Sequence, residues 1–446
     1  MTHSDERLTE SLAERSAGLT FTELPDDVIT AAQTSILDWL GVTLAGSQEP
    51  GPRHVLALQT PVEVAGVEVF GHAVRLSPLQ AALVNGTSSH VLDFDDVNTF
   101  LIGHPSVAIV AAALALGESL HCTGPQLICA YVAGYETACR VSAAVGAASY
   151  VRGFHNTGTI GTFGAAAACA HLLGLDTACT ATALSLAATQ AAGLGCMVGT
   201  MAKSLHAGKA CQNGVFAALL AREGFTAGDS AIESPKGFAA TASGTCDTAT
   251  ALGEPPQGWH VLNNLFKFDA SCYMTHSTLA GVRELMAEHD LAATEIDGID
   301  VHLGEVEMAT CAIPSPTSGL EVKFSAGHLA AMAALRRQTT VIDDASARDD
   351  AVIEFRRRTV TVIGDGMSGA PTRVDVRLRD GRGFSAAVDV NTPDRDLHTQ
   401  AARVEQKFRA VTAPWLDADR ADAVVAATKS LVNTTDVRQL VQSCRL

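Results

Sequence analysis

The sequence predicts a mainly α-helical protein that carries one smaller α+β unit toward its C-terminal end. Three observations predict it. At 446 residues the chain is too long for one ordinary core, so it calls for two domains, or for one large helical domain with an insertion. A hydrophobic content of 47%, with 18% charged and 5% aromatic residues, is that of an Ala-rich, densely helical globular protein. Apolar residues recur at helical spacing up to about residue 265, and the pattern then changes to strand-like alternation near residue 296.

From Pro25-Asp26-Asp27 to about Ala45, the residues Val28, Ala32, Ile36, Leu37, Leu40 and Leu44 keep helical spacing. The acidic pair stands at the N-terminus, where the helix dipole favours it. Further helices are expected near 78–92, 106–120, 125–147, 161–173, 176–197, 208–223 and 276–289, most of them bounded by Gly, Pro, Ser or Asp. Ile296-Asp-Gly-Ile-Asp-Val-His-Leu alternates as a half-buried strand would, and so do the runs from Arg358 and from Arg373. Arg379-Asp380-Gly381 makes a hairpin turn to a strand over Phe384–Val390. The smaller unit is therefore expected over 266–395, with a helix near 323–337. Residues 1–265 with 396–446 form the helical part.

Composition also narrows the partners. A net charge of −17 disfavours nucleic acid and anionic membrane surfaces, which need a positive footprint, but leaves room for a small anionic substrate in a locally basic pocket. The eleven cysteines include no Cys-x-x-Cys pair and sit mostly in apolar helical segments. Reduced, buried thiols in a cytoplasmic protein are expected, with neither a zinc nor an iron–sulfur site of the usual spacing. The first fifteen residues are largely polar, so no secretory signal is expected, and no apolar run was read as a membrane span.

The most informative stretch is His90-Val-Leu-Asp93-Phe-Asp95-Asp96-Val97-Asn98, followed by His104-Pro105. It gathers three carboxylates and two imidazoles beside an apolar helix, which fits acid–base chemistry, a metal loop or a solvated acidic turn. Four later segments set ionisable groups beside small residues, as a pocket needs where backbone approaches a ligand. They run from Arg152 through His155 to Gly158, from Lys203 through His206 to Lys209, from Lys267 through Cys272 to His276, and from Pro316 to Ser325. Each taken alone has a purely structural explanation. Glu321 and Lys323 could contact substrate from the smaller unit, but are as well explained as the start of an amphipathic helix with Phe324 in the core.

Together the five segments, in this order, resemble the MmgE/PrpD family, which includes 2-methylcitrate dehydratase, cis-aconitate decarboxylase and iminodisuccinate epimerase. The markers are His90-Val-Leu-Asp93-Phe-Asp-Asp with His104-Pro105, Gly153-Phe-His155-x-Thr-Gly158, Lys203-x-x-His206-x-Gly208, Lys267 with Cys272 and His276, and Gly319-Leu-Glu-x-Lys323-Phe-Ser. The resemblance spans nearly the whole chain. It implies a large all-helical domain built from both chain ends, an inserted α+β lid domain, a cleft between them and a homodimer. It also implies that Asp93, His104, His155 and Lys203 are catalytic, and that Arg152, Lys267, Cys272, His276 and His206 contact substrate, without metal or cofactor.

The chemistry expected from this resemblance is a metal-independent elimination of water from a small polycarboxylic acid. Lysines and Arg152 would hold the carboxylates, while His104 and His155, as imidazoles titrating near neutrality, would move protons. Decarboxylation of a cis-aconitate-like acid is the alternative, and isomerisation or epimerisation by proton transfer a further one. Binding without turnover is disfavoured by the joint presence of Asp93, His104, His155 and Lys203. Two positions depart from the family pattern: Val97 stands where the family often has a hydroxyl residue, which removes one hydrogen bond to substrate, and Cys272 stands where its decarboxylase branch is expected to have a histidine, which speaks against decarboxylation. Asp93→Asn, His155→Ala and Lys203→Ala are each expected to abolish turnover without changing helix content.

Overall fold

The computed structural model describes residues 7–62, 65–364 and 371–445, and helices dominate them. Asp26–Gly46 is the central helix, begun by Asp26 and Asp27 and buried along most of its length. By length and composition it could cross a membrane, contrary to the reading of the sequence. With 83% of its most apolar window buried inside the protein, it is the core helix of a packed bundle.

Pro78–His90, Pro105–Leu120, Gly124–Val145 and Leu397–Thr412 pack on it, and Asn156–Leu172, Thr177–Ala188 and Met201–Arg222 form a further layer that reaches it through the first three. Their starts carry recognisable chemistry: Ser77 and Thr123 form capping boxes, and Pro78 and Pro105 supply a first helical residue that needs no N–H partner. Three boundaries differ from the expectation. The helix expected from 161 starts at Asn156, because the poor helix formers Thr157, Gly158 and Thr159 are buried against neighbours that fix their conformation. The helix expected from 208 starts at Met201, where the Thr200 side chain accepts from Ala202 N. The one expected over 176–197 stops at Ala188, and a short 3₁₀ turn follows at Gly195–Met197. Leu8–Gly18 is a helix the periodicity did not reveal, since only Leu8, Leu12 and Ala13 of its apolar residues enter the core.

A two-stranded ribbon, β1 (Val67–Glu68) with β2 (Arg75–Leu76), lies among the helices. The other sheet is formed by β3 (Ile296–Leu303), β4 (Thr359–Ile363), β5 (Thr372–Leu378) and β6 (Gly383–Val388) in the order β4-β3-β5-β6. β3 runs parallel to β4 and antiparallel to β5, and β5 turns into β6 at the predicted hairpin, where Gly381 takes a left-handed φ of +88°. Helices His276–Glu288 and Ala326–Ala334 pack together, and the former also covers β5 and β6.

Two hydrophobic cores result. One collects side chains from Leu8 to Leu262 and again from Phe408 to Cys444, so the C-terminal helices pack back on the first part of the chain. The other collects side chains from Leu279 to Leu378. Between them, Val42, Phe94 and Ala270 form a small separate cluster. The acidic stretch after His90 lies at this junction.

Candidate active site

His90 ends the helix Pro78–His90, and the chain then turns sharply enough to put Asp93 at φ +51°. A left-handed conformation costs an L-residue roughly 1 kcal/mol, and Asp is among the few that adopt it locally. The turn holds its carboxylate inside the protein, 2% exposed. Lys203 Nζ, from the first turn of Met201–Arg222, donates to Asp93 Oδ2 at 3.0 Å. Lys267 Nζ donates to Asp93 Oδ1 and, at 2.9 Å, to the Asp93 carbonyl. Lys267 reaches this point because Val97 and Leu265 exchange two backbone hydrogen bonds of 2.8 Å, which tie the two loops together. Burial alone would raise the Asp93 pKa, but the Lys203 and Lys267 ammonium groups hold it well below the usual carboxylate range. Asp93 is an anion fixed between two ammonium groups.

Asp95 organises the histidines. Its Oδ2 accepts from His90 Nδ1 at 2.9 Å and lies 2.8 Å from His104 Nδ1, which also donates to the Asp96 carbonyl at 2.9 Å. A His104 ring protonated at Nδ1 turns Nε2 toward Asp93 Oδ1, 3.9 Å away. His155 stacks on His90 at 5.6 Å between ring centroids, and its Nδ1 meets His206 Nδ1 at 3.1 Å. His206 is half-buried, so the row His90, His155, His206 leads from the interior outward. Burial, only partly opposed by Asp95, pushes His90 down to about 3 and lowers His104. His155 falls well below its ordinary value through burial and the nearby Lys203. The expectation that His104 and His155 titrate near neutrality is therefore corrected: both are held as neutral imidazoles by loss of hydration.

His90, Asp95 and His104 also offer ligand atoms within 4.8 Å of one another. The same atoms already hydrogen bond at 2.8–2.9 Å. Two ligands of one tetrahedral ion at ordinary metal–nitrogen distances stand roughly 3.3 Å apart. This geometry is that of a hydrogen-bond relay. Asp96 is a separate case: it accepts from Ser106 and from Asn264 Nδ2, the latter at 2.7 Å, and burial beside Asp38 raises it to about 7.

Two helices begin at this cluster, with His104 and His155 as their N-cap residues; neither caps its helix with its own side chain, and Asp96 Oδ1 accepts from Ser106 N at 3.2 Å in the first turn after His104. The Met201–Arg222 helix also begins here, and its Thr200 and Lys203 line the same cleft as His90 and Asp93. Three positive helix ends thus adjoin one site. The cleft is nearly closed, with a free volume of about 10 Å³, and Leu320, Lys323 and Phe324 complete its lining.

Of the residues singled out in the sequence, Asp93, His104, His155, Lys203, Lys267 and His206 meet here. Cys272 stands at the edge: its N–H donates to the Lys323 carbonyl at 3.0 Å, and a hydrogen bond with the Cys311 thiol lowers its pKa, though burial opposes this. Arg152 does not join. It is exposed, and its guanidinium lies by Gly244. His276 does not line this cleft either; it lines another one with Tyr273, Asp269 and Arg283. Lys323, read in the sequence as a helix start, is 3% exposed in the cleft wall. The one signal that could have found it was its place in the Gly319 to Ser325 motif.

Sequence comparison gives the same assignment by another route. The MmgE/PrpD N-terminal domain matches residues 10–250 and the MmgE/PrpD C-terminal domain residues 270–431. The cis-aconitate decarboxylase of Homo sapiens is 27% identical, over 96% of this chain and 92% of that protein. The cis-aconitate decarboxylase of Aspergillus terreus is 23% identical, over 98% and 95% of the two chains. That of Mus musculus is 30% identical over 52% of this chain and 49% of its own length.

Proposed function

The chain belongs to the MmgE/PrpD family and is a lyase, and from that premise we propose that it releases carbon dioxide from a small unsaturated polycarboxylic acid of the cis-aconitate kind. The observation that carries the reading is the buried Asp93 carboxylate between Lys203 and Lys267, with the neutral His104 facing it. Carbon dioxide leaves with no proton, and its bonding electrons stay on carbon. The site must therefore stabilise negative charge and then deliver one proton. The three helix N-termini favour the first requirement. Lys203, on the cleft wall, is the proton donor in this reading. The row from His155 to the half-buried His206 leads toward solvent, from which the amine regains its proton.

Dehydration, the first expectation, could draw on the same donor, Lys203, for its departing hydroxide, so the proton supply does not separate the two reactions. What supports decarboxylation is the likeness, over nearly the whole chain, to cis-aconitate decarboxylases. Cys272, standing where the resemblance leads one to expect a histidine in a decarboxylase, speaks for dehydration. One assay separates the readings: the protein is incubated with cis-aconitate, citrate and 2-methylcitrate, while carbon dioxide and alkene absorbance are followed. Carbon dioxide from cis-aconitate is the expected result. New alkene from a hydroxy acid without carbon dioxide would replace the proposal with dehydration, and exchange of an α-proton in heavy water with neither product would replace it with epimerisation.

A further inference from the structure

Binding a polycarboxylate takes cationic groups whose charge is not already spent. Lys203 and Lys267 both spend theirs on Asp93, and Arg152 lies outside the cleft. Lys323 differs from them. Its Nζ donates to the carbonyl of Leu92, a neutral acceptor, and among the described residues no carboxylate lies within ion-pair distance of it. It follows the short helix Gly319–Val322, which the Ser318 side chain caps, and its carbonyl receives the Cys272 N–H at 3.0 Å. The ammonium is thus placed beside the Leu92–Asp93 backbone, in the wall of the cleft that His90 and Asp93 also line.

Resting on the polycarboxylate reading above, we propose that Lys323 is a substrate-binding residue that receives one carboxylate of the acid and makes the site prefer a tricarboxylate over a dicarboxylate. The charges around it are consistent with this. Burial lowers its pKa to about 8, Asp93 and Glu49 pull it back up, and Lys267 and Lys203 press it down again. An incoming carboxylate supplies the missing counter-charge, and a charge-assisted hydrogen bond forms with little water left to compete.

The test is a titration calorimetry measurement with tricarballylate, a saturated tricarboxylate that has neither alkene nor hydroxyl and so undergoes neither reaction, and with the dicarboxylate glutarate. Wild type should bind tricarballylate more tightly than glutarate. Lys323→Met should weaken tricarballylate by about 10–100-fold, the range for one charge-assisted hydrogen bond, and should erase the preference between the two acids. Lys323→Gln keeps a donor for the Leu92 carbonyl without the charge and should behave the same way, which keeps the test valid if the Met variant folds poorly. Lys209→Met, on the exposed face of Met201–Arg222, should bind as wild type does. Unchanged affinity and preference in a folded Lys323 variant would overturn the role of Lys323 alone. No tricarballylate binding by wild type would overturn the polycarboxylate reading and the role of Lys323 with it.

Discussion

Asp93 is both the anion of the site and the counter-ion that lets two lysines be buried. Its replacement by Asn has a double consequence: the amide keeps the shape but leaves the Lys203 and Lys267 ammonium groups without a negative partner. Breaking a buried pair in this way costs about 3–5 kcal/mol. Asp93→Asn should therefore abolish turnover and also lower the urea midpoint, whereas the sequence alone suggested an unchanged fold. An inactive variant with wild-type stability would mean that the two ammonium groups find other compensation. The sequence marked Asp93, His104, His155, Lys203 and Lys267 because each sits in a short motif with small residues nearby. It could not tell which way Arg152 and His276 face, since an ionisable residue after a helix or before one has the same local pattern whether it turns inward or outward. Lys323 was hidden for the same reason: one lysine at the end of a four-residue helix reads alike in solvent and in a cleft wall.

At the level of elements, the site depends on how Met201–Arg222 seats against Pro78–His90. Gly208 and Gly86 meet there: a Cβ on Gly208 would stand 2.2 Å from Thr87 Oγ1 and 2.4 Å from the Leu83 carbonyl, and one on Gly86 would stand 3.0 Å from the Gly208 Cα. The close approach brings Lys203 to Asp93, because the same helix carries both Lys203 and Gly208. Gly208→Ala should force the helices apart against backbone that cannot yield, costing about 1–3 kcal/mol and lowering kcat as Lys203 retreats from Asp93. Thermal melts and steady-state kinetics would check both parts, and a variant with wild-type melting temperature and kcat would show that the contact relaxes at no cost. The long helices after Pro25 were legible, because caps and apolar spacing are local, whereas Leu8–Gly18 was not. The starts at 156 and 201 were not, since Gly158, Gly208 and their neighbours are helical only by virtue of what they pack against.

Over the whole molecule, the change from helical to strand-like periodicity corresponds to two hydrophobic cores, and the cluster of histidines and carboxylates is buried at their junction. That burial makes stability depend on pH. His90 is lowered to about 3, His260 and His276 to about 4, and His155 well below its ordinary value, all mainly by burial. Below an unfolded-state pKa of about 6.5, each of these rings binds a proton only after unfolding, so each favours the unfolded state as pH falls. Asp96 and Glu136 act oppositely: burial raises both to about 7, so they are protonated in the folded state and ionise on unfolding, and their contribution is lost as pH rises through 7. With His104, also lowered by burial, these imidazoles outnumber the two carboxyls and leave the unfolded state with the larger proton uptake between pH 6 and 5. Stability should therefore fall over that unit, read as a shift of the urea midpoint followed by tryptophan fluorescence. The effect should shrink in a His276→Gln variant, which removes one of these imidazoles. A stability that stays level or rises between pH 6 and 5 would mean that these rings are already protonated in the folded protein, and that the cluster is not built from neutral imidazoles.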